Sequence, residues 1–133
     1  MQHSGEANVF SWAALQADSP MPLIERRRVI GTKAMISHVR LRRGCKVPSH
    51  RHENEQITSI LEGRLRFGVG EEGTAEHREL TAAAGDVVHL PSNVPHSAEA
   101  LEDTLVLDVF APPSETTGID RIHRDDKTTS PSK

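Results

Sequence analysis

Cysteine is almost missing from this 133-residue chain: Cys45 is the single one. An intrachain disulfide framework is therefore excluded, and a reducing compartment is expected. Tyrosine is absent and aromatics make up only 3% of the residues, so a core has to be built mainly from Val, Leu, Ile and Ala. No apolar run approaches the roughly 20 residues of a membrane-spanning helix. The opening MQHSGEANVF has no charged head followed by an apolar stretch, so no secretory leader is expected and a cytoplasmic location follows. An excess of positive charge is lacking too. Sixteen Lys+Arg stand against nineteen Asp+Glu, a net charge of −3, which argues against nucleic acid or an anionic membrane as a partner. One residue is plentiful: the chain has eight histidines.

The length suits one domain. Residues 1–30 read as an N-terminal lead-in. Phe10, Trp12 and Leu15 can dock on the body, with a short turn near Trp12–Ala17, before Pro20 and Pro22 stop any helix. Residues 31–112 read as the body and 113–133 as a polar tail, pinned at most by Ile119 and Ile122. LIERRRVIG, KAMISHVRL, QITSILEG, RLRFGVG, HREL, DVVHL and TLVLDVF read as strands, separated at short intervals by glycines and Pro91. No segment sustains a helical period. Many short strands with regular turn signals predict an all-β sandwich or barrel.

The stretch from Gly44 to Gly63 contains His50-Arg51-His52 and then Gln56. On an extended chain side chains alternate, so His50, His52 and Gln56 share one face. Two imidazoles and an amide oxygen make half of a metal site. The turn Pro91-Ser-Asn-Val-Pro95-His96 can present a third imidazole. Three histidines and one oxygen suit a divalent transition metal such as Zn, Ni, Fe, Mn or Co. The bland alternative is a set of solvated or packed histidines, and it is the better reading for His3, His38, His77, His89 and His123. Farther along, Asp108 shares a strand face with Val106 and Phe110. A carboxylate within an apolar strand needs a hydrogen bond, a charge partner or a metal nearby, unless it is simply exposed on an edge strand.

GCKVPSHRHENEQITSILEG and GDVVHLPSNVPHS resemble the two motifs of the cupin family, in order, over about residues 35–110. The resemblance implies a double-stranded β-helix (jelly roll) and metal ligands at His50, His52 and His96. The fourth ligand is usually glutamate; here it is Gln56. Glutamine leaves the ion's full charge uncancelled, which favours an anionic or enolate-forming substrate, and it moves any proton-transfer role elsewhere. A glutamine there, with LDVFAPP on the last core strand, is similar to the KdgF-type cupins, which linearise 4,5-unsaturated monouronates. That resemblance implies Asp108 as the acid/base and Phe110 as a pocket residue.

The same group typically carries an arginine after the two prolines, where this chain has Ser114. Arg64 and Arg66 would serve as pocket residues if they faced the cavity; otherwise they form a solvated face. The basic runs Arg26–Arg28 and Arg42–Arg43 read as solvated unless they steer an anion. Three functions follow as expectations. The first is a metal-dependent isomerase acting on a small anionic sugar or keto acid. The second is a cupin dioxygenase for an enolisable substrate. The third is a non-catalytic metal- or ligand-binding module. A homodimer is also expected, since an open jelly roll leaves a sheet edge and face to cover, and segment 5–30 could pair with a neighbour's sheet.

Overall fold

Nine strands carry the fold in the computed structural model, which describes residues 5–117 and 119–120. They are β1 (Ile24–Ile30), β2 (Met35–Leu41), β3 (Lys46–His50), β4 (Glu55–Glu62), β5 (Arg64–Val69), β6 (Arg78–Ala83), β7 (Val87–Leu90), β8 (His96–Ala100) and β9 (Thr104–Ala111). All pairings are antiparallel, in one sheet ordered β1-β2-β9-β4-β7 and a second ordered β3-β8-β5-β6. The all-β jelly roll expected from the sequence is what the chain adopts. His3, Ile122 and His123 lie outside the described residues.

Alternation along the strands explains the core. In β2, Met35, Ser37, Val39 and Leu41 are buried while Ile36, His38 and Arg40 are not. In β5, Leu65 and Phe67 are buried and Arg64 is exposed. Ile24, Val39, Leu41, Val47, Ile60, Leu65, Phe67, Leu90 and Val106 pack between the two sheets, and buried Cys45 joins them. Truncating a residue such as Ile60, 1% exposed, to alanine should cost about 2–5 kcal/mol. The tight β4–β5 connection depends on Gly63. It has φ 90°, and a Cβ there would lie 2.4 Å from the Asp103 carbonyl oxygen, so both the backbone angle and the space require glycine.

The edge strand β1 pairs with β2 of its own chain along its whole length, from Ile24↔Leu41 to Ile30↔Met35. Before it, a single 3-10 turn (Trp12–Ala14) brings Trp12 onto His38, with ring centroids 5.1 Å apart. This covers part of the outer face of β2. Asp108 lies on β9, the middle strand of its sheet, paired with Ser37 on β2 and Thr58 on β4. The edge-strand explanation for this carboxylate is therefore excluded.

The reading of Arg26–Arg28 as solvated is corrected at Arg26, which is 6% exposed. Its side chain falls on the buried parity of β1 with Ile24. Two carboxylates compensate its burial. Nε and Nη2 bond Asp18 at 3.0 and 2.8 Å, and Nη1 and Nη2 bond Asp120 at 3.0 Å each. The clamp ties both the N-terminal and the C-terminal segments to the barrel.

Candidate metal centre

Three histidines arrive at one place by three routes. His50 is the last residue of β3, His96 is the first of β8, and the two are cross-strand partners. His52 sits in the loop leading to β4, where its carbonyl accepts a 2.8 Å bond from the Asn93 N–H. That contact draws the 91–95 turn against the 51–54 loop. Asn93 adopts φ 63° there, a left-handed conformation that asparagine tolerates well. The ring centroids of His50, His52 and His96 lie 4.5–5.5 Å apart. One potential ligand atom from each falls within 4.8 Å of the others.

The hydrogen bonds of these rings fix which nitrogen is available. His50 Nδ1 lies 2.9 Å from the Pro48 carbonyl, His52 Nδ1 3.0 Å from that of Asn54, and His96 Nδ1 3.1 Å from that of Val94. A carbonyl only accepts, so each Nδ1 carries a proton, and in the neutral ring Nε2 is the nitrogen with the lone pair. Ligating histidines are held in the same way by outer partners. Burial holds the His96 pKa down at about 4, reinforced by the charges of His50 and His52 and opposed by the Val94 carbonyl. It is therefore neutral, the form a metal needs. The donor set fits a divalent transition metal, and the cluster could hold one.

Gln56 and Asp108 lie on the paired strands β4 and β9. Gln56 is 8% exposed on β4, and its Nε2 donates to Thr58 Oγ1 at 2.9 Å and to Asp108 Oδ1 at 3.4 Å. Thr58, itself buried, donates to Asp108 Oδ1 at 2.6 Å. With its nitrogen so committed, the amide has its oxygen left for a cation. Burial pushes the Asp108 carboxyl up to about 6, while the bonds from Thr58 and Gln56 pull against that rise. Asp108 is enclosed by protein yet only half-buried, because it borders a cavity instead of packed side chains. A carboxyl tuned near neutrality can both take and give a proton. Phe110 borders the same cavity, and its ring lies 5.8 Å from that of His52.

The structure does not bring Arg64 and Arg66 to this place. Both occupy the parity opposite buried Leu65 and Phe67, and they pair with Glu102 at 3.0 Å and Glu99 at 2.7 Å on the outer surface. The expectation that either lines the pocket is corrected on that ground. Ser114 borders a cleft of about 410 Å³ that reaches His52, but its Oγ is occupied by the Thr116 carbonyl at 2.6 Å. His38 stacks on Trp12 and His89 pairs with Glu55 at 2.6 Å, both away from the cluster. His77 is bonded to the Gly70 carbonyl. The cation that does share the Asp108 cavity is Arg26. It was hidden within a run of three arginines. The sole sequence signal was its parity with Ile24.

A family model described as a cupin domain matches residues 37–110. Among solved structures, KdgF from Halomonas sp. is similar at 30% identity and a TM-score of 0.69, covering 81% of this chain and 97% of its own. An RmlC-like cupin from Shewanella frigidimarina shares the fold at 20% identity and a TM-score of 0.71, covering 82% and 95%. Oxalate decarboxylase from Bacillus subtilis, a protein with Mn(II) centres, shares it at 23% identity and a TM-score of 0.72, with 86% of this chain matching 32% of that one. No curated protein sequence matches significantly. Among the described residues no helix is long and apolar enough to cross a membrane.

Proposed function

Since this chain belongs to the cupin family, we propose that it is a metal-dependent isomerase that linearises a 4,5-unsaturated monouronate or a closely related small anionic sugar acid. The observation that carries this reading is the bonding of Asp108 to Gln56 and Thr58, with Phe110 bordering the Asp108 cavity and lying against His52 of the three converging imidazoles. The likeness to Halomonas KdgF supports it. So does the co-occurrence of Gln56 with LDVFAPP, the combination found in the KdgF-type cupins.

His50, His52, His96 and Gln56 would hold a divalent ion, which would supply Lewis-acid polarisation of substrate oxygens. The residues do the rest. The reaction is an isomerisation without redox change. The C1–O5 bond breaks, the anomeric hydroxyl becomes the C1 aldehyde, and its proton passes to O5 to leave an enol. That enol proton is then removed from oxygen and one is delivered to C4, so that C5 becomes a ketone. Asp108 takes the proton from oxygen and gives one to carbon, a role suited to a carboxyl with a pKa of about 6. Thr58 and Gln56 position it by holding Oδ1, and Phe110 lines the Asp108 cavity with its ring near His52.

The test is to follow the ultraviolet absorbance of a freshly made unsaturated monouronate with protein of measured metal content. Faster loss than in buffer, abolished by Asp108→Asn at unchanged metal content, is expected. No acceleration with metal in place removes this substrate, and turnover unaffected by the substitution removes Asp108 from the mechanism.

A further inference from the structure

A small cavity of about 20 Å³, room for about one water, lies between β1, β2, β9 and the C-terminal segment. Its lining is mostly apolar, yet two charged side chains meet it. Arg26 and Asp108 both border it. Ser37 borders it as well, 1% exposed, and its Oγ makes no hydrogen bond in the structure. Buried hydroxyls are rarely left so; this one faces a space a polar group can occupy. Thr117 and Ile119 border it from the C-terminal side, with Thr117 only 4% exposed and Ile119 packed on the core.

Asp120 holds that segment down. Its two oxygens each take a 3.0 Å bond from Arg26, and Oδ2 also accepts the Thr117 N–H at 3.2 Å. Arg28 adds a 2.8 Å bond to the Glu115 carbonyl. One guanidinium thus carries two bidentate carboxylates. Asp18 is eight residues away in sequence, whereas Asp120 comes from 94 residues away, on the segment that follows β9.

We propose that Arg26 is the subsite for the carboxylate of the substrate, and that Asp120 occupies this subsite in the closed form, with Thr117 and Ile119 closing over the cavity beside it. The inference deepens the uronate reading and rests on it for the identity of the ligand. A uronate carboxylate replaces Asp120 bond for bond, since both are planar and bidentate toward a guanidinium. The exchange conserves charge inside the barrel. Displacing Thr117 and Ile119 opens the space between Asp108 and Arg26, and the Ser37 hydroxyl becomes a partner for a sugar oxygen. Arg26 thereby takes the place of the arginine that Ser114 lacks.

The experiment uses galacturonate, a saturated analogue that does not turn over, with galactose as the neutral control. Binding to the metal-loaded protein is measured by calorimetry. Asp120→Asn should tighten galacturonate by about tenfold, because the closed form no longer competes, and should leave galactose unchanged. In the unmodified protein, galacturonate should speed amide exchange at Thr117, and galactose should not. A clamp with only a structural role gives a lower melting temperature for Asp120→Asn with no change in galacturonate affinity. That result overturns the inference, as does galacturonate binding that leaves Thr117 exchange unchanged or slower, or no galacturonate binding by either form. The two readings fail separately. Turnover of the unsaturated uronate with unchanged affinity in Asp120→Asn sinks the subsite alone. Tighter galacturonate binding without turnover sinks the isomerase alone.

Discussion

The side-chain amide nitrogen of Gln56 lies 3.4 Å from Oδ1 of Asp108, so the fourth candidate ligand and the half-buried carboxylate are in direct contact. Changing Gln56 alters both the cation's charge balance and the proton chemistry. Gln56→Glu puts a second carboxylate against Asp108. Like charge disfavours ionisation, so the limb of the pH–rate profile set by Asp108 should move to higher pH. The added charge should also tighten metal binding. Competition with a chelator and a pH–rate series measure the two effects, and a variant that moves neither contradicts the contact.

Asp108→Asn removes the proton carrier while keeping the shape and the acceptor for Thr58. Loss of turnover by about 10²–10⁴-fold is expected, with metal content and melting temperature preserved. A variant that unfolds or loses its metal would mean that Asp108 is structural.

The Arg26 clamp makes stability depend on acid. The Arg26 hydrogen bond holds the Asp18 carboxyl below its ordinary value, against the effect of burial. Burial alone would raise Asp120, but the bonds and charge of Arg26 outweigh it and keep that carboxyl low as well. A carboxyl depressed in the native state stabilises the fold above its unfolded pKa, near 3.9, and loses that contribution as pH falls through the lower native value. Asp120→Asn should therefore destabilise by about 1–3 kcal/mol at neutral pH. The gap to the unmodified protein should close below about pH 4. Urea midpoints across that range test the sign; a gap that widens in acid contradicts it.

The homodimer expected from the sequence has a surface to use on the outer face of the five-stranded sheet. Ile36, Val109 and Ile57 are cross-strand neighbours there, and Ile57 and Val109 are 41% and 36% exposed. A second copy meeting this face about a two-fold axis would cover it. Ile57→Lys should then shift gel-filtration elution from dimer to monomer at micromolar concentration, and an unchanged elution volume argues against this face.

Much of this site could be read in the residues themselves. The His50-Arg51-His52 spacing and the proline-bounded turn before His96 are local features, and the three imidazoles do meet, although His52 comes from the 51–54 loop and not from a strand. Strands β3 and β8 carry little strand signal in the sequence, because Pro48 interrupts one and HSAEA has little β propensity; their pairing is set by the partner strand. Arg26 escaped for a different reason. A run of arginines is usually solvated, and the carboxylates that permit its burial stand eight and 94 positions away. Arg64 and Arg66 show the converse. Leu65 and Phe67 already claim the inner face of β5, so alternation sends both arginines outward.

Metal stoichiometry is the most direct test of the central claim that three imidazoles with Nε2 turned inward hold a divalent ion. Protein stripped with chelator, reloaded and desalted should contain about one transition-metal ion per chain by elemental analysis, and His52→Ala and His96→Ala should retain almost none while keeping their β-sheet circular dichroism. Equal metal in the unmodified protein and both folded variants, or none in any of them, would contradict the account.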